Sequence, residues 1–346
     1  MLGVNSLKTY KDLLPVNQNA AWYDHIERIP GVIRFDNETY GYLASVLARF
    51  KVDDSYLACP AYHAYTGRHG LWGYSRGKAF LLFARHPNDD KKIIIYPQFG
   101  SLYPNLALEL LDMVNLTGFE FIFARYPVEY ADFMAASMNK SSGERQFKAE
   151  IEQILDWTYP VYTLSTAAVL EKKGQRFRSF RYDLYQVDPD EIRIEKIDPH
   201  ADMDDILSVI KFWSSGRDDA DDIISGYAFL LNLMKNPTFN LSGLKFYKHE
   251  RLIAFEVWSL LGTDKTVANN LAGMNVNTDE NLKGFSSFQY YTVCKTLYEQ
   301  GVERVCIGGS ETIGLDQFKK KMNPVKADVL KSIKVSEIVN TKVNVA

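Results

Sequence analysis

The sequence predicts an α/β (α+β) chain of two tandem modules, each a mixed, mostly antiparallel sheet with flanking helices. Three observations carry this reading. A strand–helix–strand–helix order occurs twice, shorter strands precede each copy, and no Gly/Ser-rich linker separates the halves. With 346 residues, 46% of them hydrophobic, the chain has apolar material for two cores of ordinary size.

The first copy opens at residues 92–97, a β-branched run of strand character. Gly100 marks a turn. A helix follows over 105–115, where Ala107, Leu110, Leu111 and Val114 fall at i, i+3, i+4, i+7 on one face. Gly118 reads as its C-cap, with a strand over 119–125 and a helix over 128–137 beyond it. The second copy keeps that order: strand 266–276, a loop holding Gly284, and a helix from 285 with Tyr290, Val293, Cys294 and Leu297 on one face. Gly301 closes the helix; strand 302–307, the turn Gly308-Gly309-Ser310 and helix 315–322 complete the unit. A duplicated unit is the economical reading.

The strands ahead of each copy are 79–85 in the first half, and 244–247 with 252–261 in the second, joined by the polar turn Lys248-His249-Glu250-Arg251. Strand 191–197 and an amphipathic helix over 202–213 begin the second module. Met203, Ile206, Leu207 and Ile210 form that helix's apolar face. Antiparallel strands feeding a strand–helix–strand crossover require a mixed sheet. The boundary is placed between residues 189 and 190. This gives an N-terminal module, 1–189, that includes a basic linking helix, and a C-terminal module, 190–346, with the donor site.

A net charge of −3 supplies no global basic field, so a nucleic-acid partner must be gripped by a local patch. Cys59, Cys294 and Cys306 are few and far apart, as suits core thiols in a reducing compartment. Residues 1–11 lack the apolar stretch of a signal peptide, and no apolar run is long enough to cross a membrane. A cytoplasmic chain is expected.

The stretch Asp156-Trp157-Thr158-Tyr159-Pro160-Val161-Tyr162 continues through Leu170-Glu171-Lys172-Lys173-Gly174 to Arg176, Arg178, Phe180 and Arg181. It resembles the joint of the phosphatidylglycerol lysyltransferase C-terminal domain family. Leu252-Ile253-Ala254-Phe255, Lys283-Gly284 before the long helix, and Phe318-Lys319 leading to Asn323-Pro324-Val325 add to the likeness, which runs from about Tyr65 onward. The resemblance implies a tandem GNAT fold akin to the Fem-type transferases, and transfer of an aminoacyl group from aminoacyl-tRNA to a lipid or peptide. Lipid-acting members carry a membrane region, so a soluble small-molecule or peptide acceptor is expected here.

Within that frame, Asn281-Leu282-Lys283-Gly284-Phe285-Ser286 stands where GNAT enzymes hold a pyrophosphate. Lys283, Gly284 and Ser286 at a helix start would hold a donor phosphate; the plain alternative is a glycine turn with a serine cap. The Fem-type likeness puts Phe318 and Lys319 at the donor's phosphate-bearing end, with Lys319 stabilising the oxyanion. Lys172, Lys173, Arg176, Arg178 and Arg181, interleaved with Phe177, Phe180, Tyr182 and Tyr185, are the candidate tRNA contact, against a solvated helix face. Asn269, Asn270 and Gly273 lie on the strand that GNAT folds bulge to expose a backbone N–H. Glu256 and Glu311 are the carboxylates that would take the acceptor's proton, with structural ion pairing as the alternative. The catalytic candidates are therefore Glu256, Asn270, Glu311 and Lys319.

Two other patterns are set aside. Gly73-Tyr74-Ser75-Arg76-Gly77 matches a nucleophile elbow, but a strand-like run follows where the elbow needs a helix, so a hairpin is expected. Cys59, His63 and His69 lack a fourth ligand at a familiar spacing, and no metal is expected. The acidic segment Arg217-Asp218-Asp219-Ala220-Asp221-Asp222 reads as a loop, or a lid over the donor site. The expectation is an aminoacyltransferase with aminoacyl-tRNA as donor, an amine or hydroxyl as acceptor, and no tightly bound cofactor. The alternatives are an acyl-CoA or acyl carrier protein donor, or a binding protein without chemistry on the same fold.

Overall fold

Two mixed sheets with helices on their faces account for nearly every element of the chain. The computed structural model describes residues 26–50, 56–87, 89–101, 105–113, 120–139, 147–152, 158–262, 264–276 and 282–337. In chain order the first part gives β1 (Val32–Phe35), α1 (Tyr40–Arg49), α2 (Pro60–Thr66), β2 (Leu71–Arg76), β3 (Ala79–His86), β4 (Asp89–Ile95) and β5 (Phe99–Gly100). It continues with α3 (Leu106–Met113), β6 (Glu120–Pro127), α4 (Val128–Asn139) and β7 (Phe147–Glu152). Next come β8 (Val161–Ser165), α5 (Thr166–Glu171), α6 (Arg178–Leu184), β9 (Ile192–Lys196), α7 (Met203–Ser214), α8 (Ala220–Leu233), β10 (Leu241–Lys248) and β11 (Arg251–Leu261). The last described elements are β12 (Val267–Asn275), α9 (Phe285–Glu299), β13 (Arg304–Cys306), α10 (Ile313–Lys320), β14 (Lys326–Asp328) and β15 (Leu330–Glu337).

The duplicated unit is present as β4–α3–β6–α4 and β12–α9–β13–α10. Among the described strands, the parallel pairs are β4 with β6 and β12 with β13, and all other pairings are antiparallel. A parallel pair needs a crossover between its strands, and α3 and α9 supply it. The expected apolar faces are the buried ones. Ala107, Leu110 and Leu111 of α3 lie inside, as do Ile206, Leu207 and Ile210 of α7 and Val293, Cys294 and Leu297 of α9. Each fully buried leucine or isoleucine contributes roughly 1.5–3 kcal/mol of transfer free energy. At the end of α9, Gly301 takes φ 83° and the Val302 N–H reaches back to the Leu297 carbonyl at 2.9 Å, the expected left-handed stop. Val114 and Gly118 lie outside the described residues.

The strand orders are β1-β2-β3-β4-β6-β15-β7, with β5 on β3, and β14-β8-β13-β12-β11-β10-β9. Each sheet therefore borrows a strand. β8, which precedes residue 190, lies between β13 and β14, and β15, near the end of the chain, lies between β6 and β7. The division between sheets thus does not follow a single cut in the sequence.

Two local expectations are corrected. The basic stretch is not one helix: α5 stops at Glu171, Lys172 turns left-handed at φ 50°, Gly174 follows at φ 87°, and a short turn leads into α6. The acidic segment is not wholly a loop, because Asp221 and Asp222 occupy the first turn of α8, where the helix dipole favours carboxylates. Residues 73–77 form the β2–β3 hairpin expected of them, with Gly77 at φ 61° in the turn.

Candidate active site

The site begins where β12 and β13 part. They pair from Val267↔Arg304 to Asn269↔Cys306 and separate beyond, opening a cleft at their C-terminal ends. On its other side β12 slips against β11: Val257 faces Ala272 and Trp258 faces Asn270, leaving Leu271 as the extra residue of a bulge. From Asn270 onward, β12 has no β13 partner, so this edge of its backbone is free to meet a ligand. Asn269, just before the split, is buried, and its side chain turns to the Cys59 thiol.

Glu256 sits opposite Gly273 and is fully buried. A Cβ at Gly273 would lie 2.5 Å from both carboxylate oxygens, so only glycine leaves the space that Glu256 fills. Asn270 Nδ2 donates to Glu256 Oε2 at 2.9 Å, while among the described residues Oε1 has no hydrogen-bond partner, nor does the buried Asn270 Oδ1. Burial pushes the Glu256 carboxyl up to about 8, with Asn270, Gln289 and Lys319 pulling the other way. Such a group is mostly protonated at neutral pH and a strong base when ionised. Half-buried Tyr290, on α9, adjoins the pair: burial raises its phenol well above the usual range, and the Glu256 charge adds to that. Its ring meets Phe318 edge-on at 5.6 Å.

Lys319 is buried, and its Nζ donates to the carbonyls of Ile307 (2.7 Å), Gly308 (3.1 Å) and Gly309 (2.5 Å). An ammonium has three donors, and all three are engaged. In this arrangement Lys319 braces the loop after β13 and has no N–H left for an oxyanion. Burial lowers its pKa to about 8. Glu311, just past that loop, is exposed, and among the described residues it makes no salt bridge.

The helix start gives its anion position to the protein itself. Gly284 takes φ 78°, and a Cβ there would stand 2.1 Å from the Asp183 carbonyl oxygen, so both backbone and space require glycine. The Asp183 carboxylate accepts from Ser287 Oγ at 2.8 Å and pairs with Lys321 Nζ at 3.0 Å. Ser286 Oγ accepts from Asn275 at 3.1 Å. Of the phosphate candidates at this helix start, Lys283 alone stays exposed, 6.0 Å from the Tyr182 ring. A groove of about 860 Å³ opens beside it, lined by Lys248, His249, Arg251, Val276 and Phe285 among others.

The basic candidates divide. Lys172 folds over the Tyr291 ring at 4.4 Å, and Arg181 donates to the carbonyls of Lys172 and Gly174. Lys173, Arg176 and Arg178 are exposed. Arg68, at the end of α2, reaches across to Asp222 on α8 at 2.6 Å and ties the first module to the second. Burial raises the Cys59, Cys294 and Cys306 thiols to between about 11 and about 12, which makes them inert core residues.

Sequence reasoning missed Tyr290 and Gln289 as site residues. Tyr290 shares the α9 stripe with core positions, and only its place beside the bulge distinguishes it. Gln289 is buried and donates to the Phe255 and Met274 carbonyls at 3.1 and 3.3 Å, bridging β11 and β12.

Solved structures share this architecture. A tandem GNAT protein from the clavulanic acid biosynthesis pathway superposes with a TM-score of 0.54 at 11% identity, covering 88% of this chain and 98% of that one. The chain has the tandem GNAT fold. A conserved Bacteroides thetaiotaomicron protein of unknown function matches with a TM-score of 0.65 at 12% identity over 89% and 99% of the two chains. The C-terminal domain of a putative lysylphosphatidylglycerol synthetase from Agrobacterium fabrum matches with 0.54 at 16% identity over 87% and 92%. No protein-family model matches the chain, and no curated protein matches it in sequence. Among the described residues, no helix is long and apolar enough to cross a membrane, and no three His, Cys, Asp or Glu side chains gather as a metal site would require.

Proposed function

We propose that the cleft between β12 and β13 carries acyl transfer, moving an aminoacyl group from aminoacyl-tRNA to an amine or hydroxyl of a soluble acceptor. The observation that carries this reading is the fully buried Glu256, held by Asn270 through one oxygen with the other unpartnered, beneath a bulged strand whose edge is free. A buried polar atom without a partner costs about 1–3 kcal/mol, and such a cost is tolerated where function uses the atom. In the transfer, the acceptor nitrogen or oxygen bonds to the ester carbonyl carbon and gives its proton to Glu256. The carbon–oxygen bond to the ribose breaks, and the ribose oxygen leaves with a proton. Free N–H groups along β12 beyond Asn269 are suited to the developing oxyanion. The exposed backbone at Gly273 is the opening beside the shielded carboxylate.

Two features favour tRNA over coenzyme A. Asp183 stands at the helix start where a pyrophosphate would bind, and Lys173, Arg176 and Arg178 are exposed near the joint between the modules. A thioester donor is the second reading, suggested by the fold shared with the tandem GNAT protein of the clavulanic acid biosynthesis pathway, a structure without AcCoA. Incubating the purified chain with radiolabelled aminoacyl-tRNA pools and, separately, with acyl-CoA in the presence of an amine mixture tests both. Label moving from tRNA alone supports the proposal; label moving from acyl-CoA alone overturns it.

A further inference from the structure

One face of α6 lies open to solvent and carries aromatic rings between cations. Phe177 and Phe180 anchor this helix in the core, while Arg178, Tyr182 and Tyr185, at i, i+4 and i+7, share the exposed side. Tyr185 follows the last residue of α6 and keeps helical angles, φ −69° and ψ −13°, so it stays in line with Tyr182. Tyr182 is 56% exposed and Tyr185 82%. Among the described residues neither ring meets another ring, and neither hydroxyl has a hydrogen-bond partner. Scattered exposed rings are ordinary on a protein surface; two on one helix face, interleaved with cations, form a stacking platform.

The charge beside the platform is positive. Lys283 Nζ stands 6.0 Å from the centre of the Tyr182 ring, and Arg176, Arg178 and Lys283 make no salt bridge among the described residues. The acid of α6, Asp183, is taken up by Ser287 at 2.8 Å and Lys321 at 3.0 Å. Past Tyr185 the chain enters the groove of about 860 Å³, lined by Gln186 and Val187 from this side and by Leu282 and Phe285 from the start of α9. Two of the groove's acids are offset, Glu191 by Lys248 at 3.2 Å and Glu250 by Arg193 at 3.5 Å, and Asp188 accepts from the Asp190 N–H at 3.0 Å. Arg251, in the same wall, has no acid partner among the described residues. Val276, also in the wall, follows β12 and lies roughly 10 Å along extended chain from Gly273, so the groove leads toward the cleft.

The order of these features selects the ligand. A duplex offers its phosphates and hides the faces of its bases, whereas an unpaired strand offers both to a surface of rings and cations. We infer that the exposed face of α6 binds the unpaired 3′ end of an RNA, with bases stacked on Tyr182 and Tyr185 and phosphates met by Arg178 and Lys283, the strand continuing into the groove. The identity of that RNA as the aminoacyl donor rests on the reading proposed above; the stacking itself requires no aminoacyl group.

Fluorescence anisotropy of the full chain tests this with two labelled RNAs, a hairpin ending in single-stranded ACCA-3′ and the same hairpin with a blunt end. The overhang is expected to bind about ten-fold tighter or more. Tyr182→Leu and Tyr185→Leu should each weaken overhang binding by roughly 5–150-fold and leave the blunt hairpin unchanged, while Tyr182→Phe and Tyr185→Phe retain the preference. Lys283→Ala should lower the salt slope of overhang binding by about one. Both tyrosines are exposed, so an unchanged melting temperature will certify their variants as folded. Equal affinity for the two hairpins, or a preference that survives both leucine variants, overturns the proposal. Binding of neither hairpin overturns it together with the tRNA-donor reading. A tyrosine-dependent overhang preference without any transfer from charged tRNA would sink the transferase reading and leave the platform standing; transfer without the preference would do the reverse.

Discussion

The two splayed strand pairs have the same topology and opposite contents. In the first sheet β4 and β6 pair up to Ile95↔Phe123, and the space beyond is filled by the protein's own side chains. Tyr126 donates to the Tyr96 carbonyl at 3.0 Å, the Tyr96 and Thr66 hydroxyls are 2.8 Å apart, and the Tyr96 ring meets His63 at 4.8 Å. Arg125, left-handed at φ 67°, lays its guanidinium over the Tyr62 and Tyr56 rings at 4.8 and 5.5 Å. In the second sheet the corresponding space holds a buried acid, an amide and free strand edge. The repeated topology gives two such places; aromatic bulk closes one and leaves the other open for the proposed chemistry.

The largest effect that can test this contrast is on turnover. Glu256→Gln should lower transfer by about 10²–10⁴-fold, while Tyr62→Phe in the closed cleft should change it less than about two-fold. Equal losses in a single-turnover assay would break the comparison. Next come the glycines before the crossover helices. Gly284 and Gly100 have φ 78° and 80°, and at each a Cβ would stand 2.1 Å from a backbone carbonyl oxygen, of Asp183 and Lys78 respectively. Alanine at either should cost roughly 2–4 kcal/mol in urea unfolding, since both clash and φ oppose it. A Gly284 effect confined to activity would revive a donor-binding role for that loop.

A third test uses pH. Glu256 titrates near its ordinary value when unfolded and at about 8 when folded, so the folded state holds the extra proton between those values. Its contribution to stability is complete below about pH 4.5 and is lost as pH rises toward 8, on the order of 5 kcal/mol. Glu256→Gln should remove that slope, and denaturation midpoints of the two proteins from pH 5 to 8 will show whether it does. The smallest stability effect belongs to the exposed basic residues. Lys173→Ala and Arg176→Ala should shift stability by less than about 0.5 kcal/mol, yet each should reduce the salt dependence of tRNA binding by about one unit. A salt slope that stays unchanged removes the joint from the tRNA path.

Local pattern made the duplicated unit legible, because the apolar stripes of α3, α7 and α9 and the stop at Gly301 are written within a few turns of chain. Glu256 and Asn270 were also within reach, since two asparagines and a glycine in a strand signal an interrupted ladder. The roles of Lys319 and Gly284 were not. Three carbonyls from the loop after β13 and the backbone of Asp183 set them, and neither partner adjoins them in sequence. Tyr290 looked like core for a related reason: its helical spacing is that of Val293 and Leu297, and only the departure of β13 from β12 uncovers it. Pairing of β8 and β15 was hidden because a strand's pattern shows which face is apolar, not which neighbour it joins.

That exchange of strands bears on how the protein is made. β15 follows every other described strand in sequence and sits between β6 and β7, so the first sheet stays open until β15 has been made. The N-terminal half therefore cannot settle as an independent unit during synthesis, as consecutive domains ordinarily do. A stop codon before Leu330 would damage the half of the molecule translated first.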